Sequence, residues 1–126
     1  MLAYSMVGSN DIDKARQFYG DLLAEMGAKE TMVRPDGGAI FWGKGPGQPM
    51  FGICKPFDGE AAAQGNGTMT AFAVKDSAEV KKMYDRAISL GATCEGEPGP
   101  RLGGMVSCGY VRDPDGNKLN FFCMGS

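Results

Sequence analysis

Few side chains in this sequence are suited to chemistry, and histidine is absent altogether. Without histidine, Ser-His-Asp and Cys-His catalysis are excluded, and a metal site would need carboxylates, carbonyls or thiolates. The four cysteines form no Cys-x-x-Cys pair and do not resemble a zinc site; they are Cys54, Cys94, Cys108 and Cys123. All lie in apolar or strand-like segments, where a free thiol behaves as a small hydrophobe, so we expect a protein of the reducing cytoplasm.

Asn120 and Arg101 are the polar residues most suited to contact a ligand. Asn120 lies in "VRDPDGNKLNFF", where the DPDG turn and the strand-forming residues around it predict a hairpin. Alternation along the strand places Leu119 and Phe121 on the face opposite to Asn120. Arg101, in "EPGPRLGGM", is predicted to lie in a Gly/Pro loop. There its guanidinium either binds a ligand carboxylate or phosphate or is simply solvated.

Composition limits the classes of partner. A chain of 126 residues with 43% hydrophobic residues is long enough for one ordinary domain. Its formal net charge of −2 gives no electrostatic reason to expect nucleic acid or an anionic membrane. The apolar runs are short, and the four residues before Ser5 are too few for a signal peptide. We therefore predict no nucleic-acid partner and no membrane association.

Two amphipathic helices are predicted, one in each half of the chain. Apolar side chains recur at intervals of three and four from Ile12 to Met26 and again from Val80 to Ile88. The two patterns superpose with an offset of about 65 residues, half the chain, so that Asp11 matches Asp76. This offset indicates an internal duplication.

The ends of both helices can also be predicted. Ser9 or Asn10 is expected to cap the first helix, whereas Asp76 followed by Glu79 resembles a capping box for the second. Glycines close both patterns, at positions 27 and 91.

Strand candidates surround each helix, with one before it and three after it. They cover residues 2–8, 31–34, 39–43 and 50–54 in the first half and residues 68–74, 93–95, 106–112 and 118–123 in the second. The predicted unit is βαβββ, used twice. We expect a single domain over residues 1–126, with a first module of about 1–56, a linker of about 57–66 and a second module of about 67–124.

The repeat, with "NDIDKARQFYGDLL", "GNGTMTAFAV", "EPGPR" and "YVRDPDGNKLNFF", resembles the vicinal oxygen chelate superfamily. This is the superfamily of glyoxalase I, bleomycin-resistance proteins and extradiol dioxygenases, and the resemblance covers nearly the whole chain. It implies an α+β fold in which two βαβββ modules form a curled eight-stranded sheet cup. It also implies a homodimer, in which modules of two chains can complete a site.

The resemblance further implies where a metal would be bound. Metal-dependent members hold a divalent ion with His and Glu side chains, and the matching positions here are Tyr4, Met69 and Asn120. The fourth strand, "MFGIC", offers no carboxylate. A phenol, a thioether and an amide do not suit a hard divalent cation. We therefore predict no metal and no cofactor, and no lactoylglutathione lyase activity, since that chemistry needs the ion.

A metal-free cup would bind a small, largely apolar or aromatic molecule, as in resistance or sequestration. The predicted lining, with Phe41 as the alternative to Trp42, is Tyr4, Met6, Trp42, Met69, Ala71, Arg101, Asn120 and Phe122. One alternative is a glyoxalase-like lyase, isomerase or dioxygenase with a nonstandard site, in which Tyr4 would be the acid/base. A second is a non-catalytic member whose cup is filled by its own side chains.

Overall fold

A computed structural model describes residues 1–126 and shows an α+β fold of two helices, eight strands and one short 3-10 turn at Leu102–Gly104. The chain divides into two compact units, which we call unit 1 (Met1–Gln64) and unit 2 (Gly65–Ser126). Unit 1 contains β1 (Tyr4–Gly8), α1 (Ile12–Ala24), β2 (Lys29–Val33), β3 (Ala39–Gly43) and β4 (Met50–Cys54). Unit 2 contains β5 (Thr70–Ala73), α2 (Ser77–Ser89), β6 (Thr93–Arg101), β7 (Val106–Arg112) and β8 (Lys118–Met124). Neither helix has the length and apolar character needed to cross a bilayer.

The predicted βαβββ repeat is confirmed by the sheet topology. Each unit has one four-stranded mixed sheet, in the order β1-β4-β3-β2 in unit 1 and β5-β8-β7-β6 in unit 2. The first strand of each unit pairs in parallel with the last, and the remaining pairs are antiparallel. The two halves therefore have the same topology, which supports the duplication inferred from the helices.

Each helix buries the middle of the apolar stripe that its periodicity predicts, whereas Ile88 is exposed and Ile12 and Met26 are half-buried. The buried residues are Ala15, Phe18, Tyr19, Leu22 and Leu23 in α1 and Val80, Met83, Tyr84 and Ala87 in α2. In unit 1, the Tyr19 ring packs on Phe51 of β4, with the ring centroids 4.8 Å apart. In unit 2, Gly109 of β7 faces α2, because a Cβ there would be in contact with Val80 and Tyr84, 3.4 Å from each. One face of each sheet is thus committed to its helix.

The prediction for the N-cap of α1 is wrong. Asp11 is the cap, and its carboxylate accepts a hydrogen bond from the Lys14 N–H at 3.1 Å. Ser9 instead accepts from the Asp11 N–H, at 3.1 Å. The Asn10 amide is used elsewhere, since it pairs with both backbone groups of Ala62 at 2.7 and 3.0 Å.

Asp76 caps α2 as predicted, accepting from the Glu79 N–H at 2.9 Å. The return bond of the capping box is displaced by one residue, because Glu79 accepts from the Lys75 N–H and not from that of Asp76. Asp11 and Asp76, which the repeat aligned, therefore have the same structural role.

The helices also end alike. Gly27 and Gly91 have φ of 79° and 108°, which an L side chain rarely adopts. Directly after them, Ala28 and Ala92 donate backbone hydrogen bonds of 3.1 and 3.0 Å back to the last turn of their helices.

β6 differs most from its prediction. It continues to Arg101, although the sequence indicated a strand of residues 93–95 followed by a loop. β6 is an edge strand, where Pro98 and Pro100 are tolerated because the missing N–H groups need no partner. Its pairing with β7 is irregular between Cys94 and Gly99. Arg101 is therefore the last residue of a strand and not part of a Gly/Pro loop.

The DPDG turn between β7 and β8 forms as predicted. The buried Asp113 carboxylate organises it, accepting from the N–H groups of Asp115 and Asn117 at 2.9 Å and from the Asn117 amide at 3.0 Å. Gly116 supplies the positive φ, 89°. This turn sets the pairing of Arg112 with Lys118, and with it the register of the hairpin.

Candidate functional site

The sheet face opposite each helix, which we call the far face, carries most of the predicted site residues. In unit 1, one row of paired positions crosses this face from Met6 through Gly52 and Phe41 to Met32. Tyr4 lies beside the row, and its ring meets that of Phe41 edge-on with centroids 5.1 Å apart. The far face of unit 1 is therefore aromatic and rich in methionine.

Gly52 shapes this face by lacking a side chain. A Cβ at this position would lie 2.6 Å from the Phe41 ring, so only glycine lets that ring lie across the strand. Tyr4 and Met6 remain 50% and 39% exposed. The unit thus presents an aromatic and thioether surface at two of the residues predicted to line the cup.

Trp42 lies on the other face. Its ring is 6.2 Å from that of Tyr19 in α1, and it is buried against the helix. Of the two alternatives that the sequence left open, Phe41 occupies the far face and Trp42 belongs to the core. The physical reason is that neighbouring strand residues point to opposite sides and α1 covers the Trp42 side.

The far face of unit 2 is identified by the same alternation. Because Gly109 faces α2, its neighbours Cys108 and Tyr110 face away from the helix, and so does Asn120, which pairs with Tyr110. Ala71 pairs with Asn120 on the other side. Phe121 faces α2 and stacks on Phe72, with ring centroids 6.0 Å apart. Along β8, Lys118 and Phe122 belong to the same far face, whereas the exposed Met69 lies just before β5.

Asn120 has an incomplete hydrogen-bond set. Its side chain is 3% exposed, and its Nδ2 donates to the Cys108 Sγ at 3.7 Å. Its Oδ1 has no hydrogen-bond partner. Buried polar atoms in folded proteins are nearly always paired, so a water molecule or a donor group of a ligand would complete this set.

Tyr110 lies next to Asn120 with two cations near its ring. The Arg101 Cζ is 5.6 Å and the Lys118 Nζ 5.2 Å from the ring centroid. A hydrogen bond with the Cys108 thiol, together with burial, raises the pKa of Tyr110. Its hydroxyl is therefore neutral at physiological pH and suited to hydrogen bonding more than to proton abstraction.

Arg101 is fixed along β6. Its guanidinium donates to the backbone carbonyls of Glu97 and Pro100, at 2.7 and 3.1 Å. It lies beside Gly96 and Gly99, where an added Cβ would be in ordinary van der Waals contact, 3.6 and 3.4 Å from its terminal nitrogens. The sequence placed Arg101 in a loop, whereas the structure places it at the end of β6; its role in ligand binding stays a prediction.

The neighbouring charges on this unit are already paired. Arg112 forms an ion pair of 3.0 Å with Glu95, and the hydrogen bond from Arg112 lowers the pKa of that carboxyl. Neither Arg101 nor Lys118 is in an ion pair.

The positions that the resemblance assigned to metal ligands do not fit a divalent ion. Tyr4 lies in unit 1, and Met69 and Asn120 lie in unit 2. None offers a carboxylate, an imidazole or a thiolate, and the chain has no group of three or more His, Cys, Asp or Glu side chains placed to hold an ion. A hard cation would have no anionic oxygen to replace its hydration shell.

Sequence reasoning missed Tyr110, Lys118 and Cys108 as site residues. The signal was present in the hairpin: once the turn fixes the register, Tyr110 must pair with Asn120, and Lys118 must share its face. The contact with Arg101 could not be found in this way, because it depends on the irregular pairing of β6.

Comparisons with known proteins define the family. The family model described as the Glyoxalase/Bleomycin resistance protein/Dioxygenase superfamily matches residues 2–121, and the chain belongs to this superfamily. A glyoxalase/bleomycin resistance protein from Albidiferax ferrireducens T118 has a similar structure, with 32% identity, a TM-score of 0.86 and 97% of both chains covered.

Other solved structures share the fold at lower identity. A lactoylglutathione lyase from Agrobacterium tumefaciens has 23% identity and a TM-score of 0.70, covering 97% of this chain and 92% of its own. A glyoxalase-related enzyme from Fulvimarina pelagi has 20% identity and a TM-score of 0.74, covering 100% and 95%. No curated protein matches the chain.

Proposed function

We propose that this protein binds a small, largely apolar or aromatic molecule and does so without a metal ion. The observation that carries the proposal is the buried Asn120 Oδ1, which has no partner within the chain. Leaving such an acceptor unpaired costs about 1–3 kcal/mol, and a ligand that donates a hydrogen bond would recover this. The amide stands where metal-dependent relatives are expected to have a carboxylate.

The far face of unit 1, taken by itself, also offers an apolar binding surface. Tyr4 and Met6 keep a large part of their surface exposed beside the Phe41 ring. Large contiguous patches of exposed apolar side chains mark binding surfaces, and methionine adapts its shape to different ligands.

The metal-free part of the proposal rests on the ligand chemistry of Tyr4, Met69 and Asn120. This ligand chemistry is the proposed difference from the Agrobacterium lyase, which this protein resembles in fold alone. We therefore expect no lactoylglutathione lyase activity.

We further propose that the protein is a cytoplasmic homodimer. β2 is an edge strand whose five residues are all exposed, so its backbone is available for pairing with a second copy. Cys94 is exposed as a free thiol, which suits a reducing compartment. Sedimentation at micromolar concentration should give a dimer mass, and a monomer mass would refute the assembly.

The proposal is tested first by elemental analysis of protein purified without an affinity tag, and then by calorimetric titration with a panel of hydroxylated aromatic fragments. We expect no stoichiometric ion after dialysis, even when Ni²⁺, Zn²⁺, Mn²⁺ or Fe²⁺ has been added. We expect at least one fragment to bind.

Asn120→Leu should weaken that binding about tenfold, because it removes the acceptor while keeping the volume. Gln17→Leu, which removes an exposed amide from α1, is the matched control and should bind normally. A stoichiometric ion would refute the metal-free assignment, and a panel without any binder would refute ligand binding.

A further inference from the structure

We propose that the ligand carries an anionic oxygen group, a carboxylate or a phosphate, and that this group binds at the cations Arg101 and Lys118 beside the Tyr110 ring on the far face of unit 2. This inference rests on the proposed small-molecule function and names the chemical class of the ligand.

The first argument is local charge. The chain as a whole is negative, with 15 acidic and 13 basic side chains. The far face of unit 2 nevertheless brings three cations together, and only Arg112 has a carboxylate partner, Glu95. Arg101 and Lys118 are in no ion pair and lie over the Tyr110 ring, although the charge of Lys118 also helps to lower the pKa of Glu95. Glu95 is shared with Arg112, so the three cations still exceed the one carboxylate beside them, and an anion would neutralise the excess.

The second argument is that Arg101 is already held in place. Two of the five N–H donors of its guanidinium are used by the carbonyls of Glu97 and Pro100. The remaining donors are thereby fixed in direction, and little side-chain entropy remains to be lost when a carboxylate or phosphate binds.

The third argument concerns the rest of the ligand. The unpaired Oδ1 of Asn120, next to Tyr110 in the sheet, calls for a hydroxyl or N–H donor. Ala71, which pairs with Asn120, and Phe122, two residues further along β8, offer only apolar contact. The ligand class that satisfies the anion site, the acceptor and these apolar residues is a hydroxylated or amino-substituted aromatic acid.

Calorimetric titration with matched probes tests the proposal. The probes are para-hydroxybenzoate, its neutral analogue para-hydroxybenzamide, and phenyl phosphate. We expect para-hydroxybenzoate to bind about tenfold or more tightly than the amide, because a hydrogen bond to a charged group is stronger than one to a neutral group. The ratio of carboxylate to phosphate affinity decides which anion the site prefers.

Variants assign the effect to the two cations. Lys118→Met and Arg101→Gln should each abolish most of the difference between acid and amide, whereas Lys118→Arg should retain it. Lys81→Met is the control, since it removes the same charge from α2, where Lys81 pairs with Asp85 at the other side of the sheet. Thermal unfolding of each variant shows whether it is folded.

The outcomes separate this proposal from the one on which it rests. Equal affinity for acid and amide would refute the anion site while leaving small-molecule binding intact. An acid preference that survives in both Lys118→Met and Arg101→Gln would place the anion elsewhere and would also refute it. If no probe binds and no fragment in the panel binds, both proposals are refuted.

Discussion

Unit 1 and unit 2 have the same strand order, helices of the same length, and aspartate caps and terminal glycines at matching positions. Their far faces differ. That of unit 1 carries Tyr4, Met6 and Phe41, whereas that of unit 2 carries Arg101, Tyr110, Lys118 and Asn120. The helix faces and caps have stayed alike because each half must bury a core. The far faces differ in residue type, although Phe41 and Asn120 on them are also buried, and ligand chemistry is expected where the two halves differ.

The largest expected effect tests whether the helix faces alone are core. Phe121→Ala in unit 2 should destabilise the protein by about 3–5 kcal/mol, and Ile53→Ala in unit 1 by about 2–5 kcal/mol, because both side chains are fully buried. Met6→Ala on the far face should cost about 1 kcal/mol or less, since its side chain is partly exposed.

Urea unfolding of the three variants gives these free energies. If Met6→Ala costs as much as Ile53→Ala, the far face of unit 1 is packed core, and its use for ligand binding is refuted.

The next effect tests the equivalence of the helix ends. Gly27→Ala and Gly91→Ala should each destabilise the protein by about 1–2 kcal/mol, because alanine is strained at positive φ. Gly20, in the middle of α1, has no such strain, and an added Cβ there would meet no atom within 4 Å. Gly20→Ala should therefore stabilise the protein by about 0.5–1 kcal/mol. Thermal unfolding measures all three, and a stabilising effect at Gly27 or Gly91 would contradict the shared helix end.

The smallest expected effect is a pH dependence of stability caused by Tyr84, on the helix side of unit 2. A hydrogen bond with the Cys94 thiol, with burial, raises the pKa of Tyr84 to about 12. In the unfolded chain this pKa is about 10, so the unfolded chain loses the proton first as the pH rises. The contribution to stability is complete below about pH 10 and is lost as the pH rises towards 12.

In Tyr84→Phe the free energy of unfolding should therefore fall less steeply above about pH 10 than it does in the natural chain. Cys94→Ala, which removes the partner, should flatten the same part of the curve. An unchanged slope in both variants would show that this hydrogen bond does not govern the titration.

Much of this fold could be predicted from the sequence because its signals are local. The apolar stripes of α1 and α2, their terminal glycines and the hairpin around Asp113 all depend on residues within a few positions of one another. Asn120 was also placed on the correct side of its strand, because alternation along β8 needs only one known neighbour. These features are determined by the sequence itself.

Tertiary structure decided the rest. The apolar neighbours Phe41 and Trp42 both suit a core, and only the docking of α1 assigned Trp42 to it. Asn10 is a good cap by type, but Ala62, 52 residues away, occupies its amide and leaves the cap to Asp11. Arg101 reaches Tyr110 because edge pairing extends β6 through two prolines. In each case several local choices had similar energy, and a contact distant in sequence selected one of them.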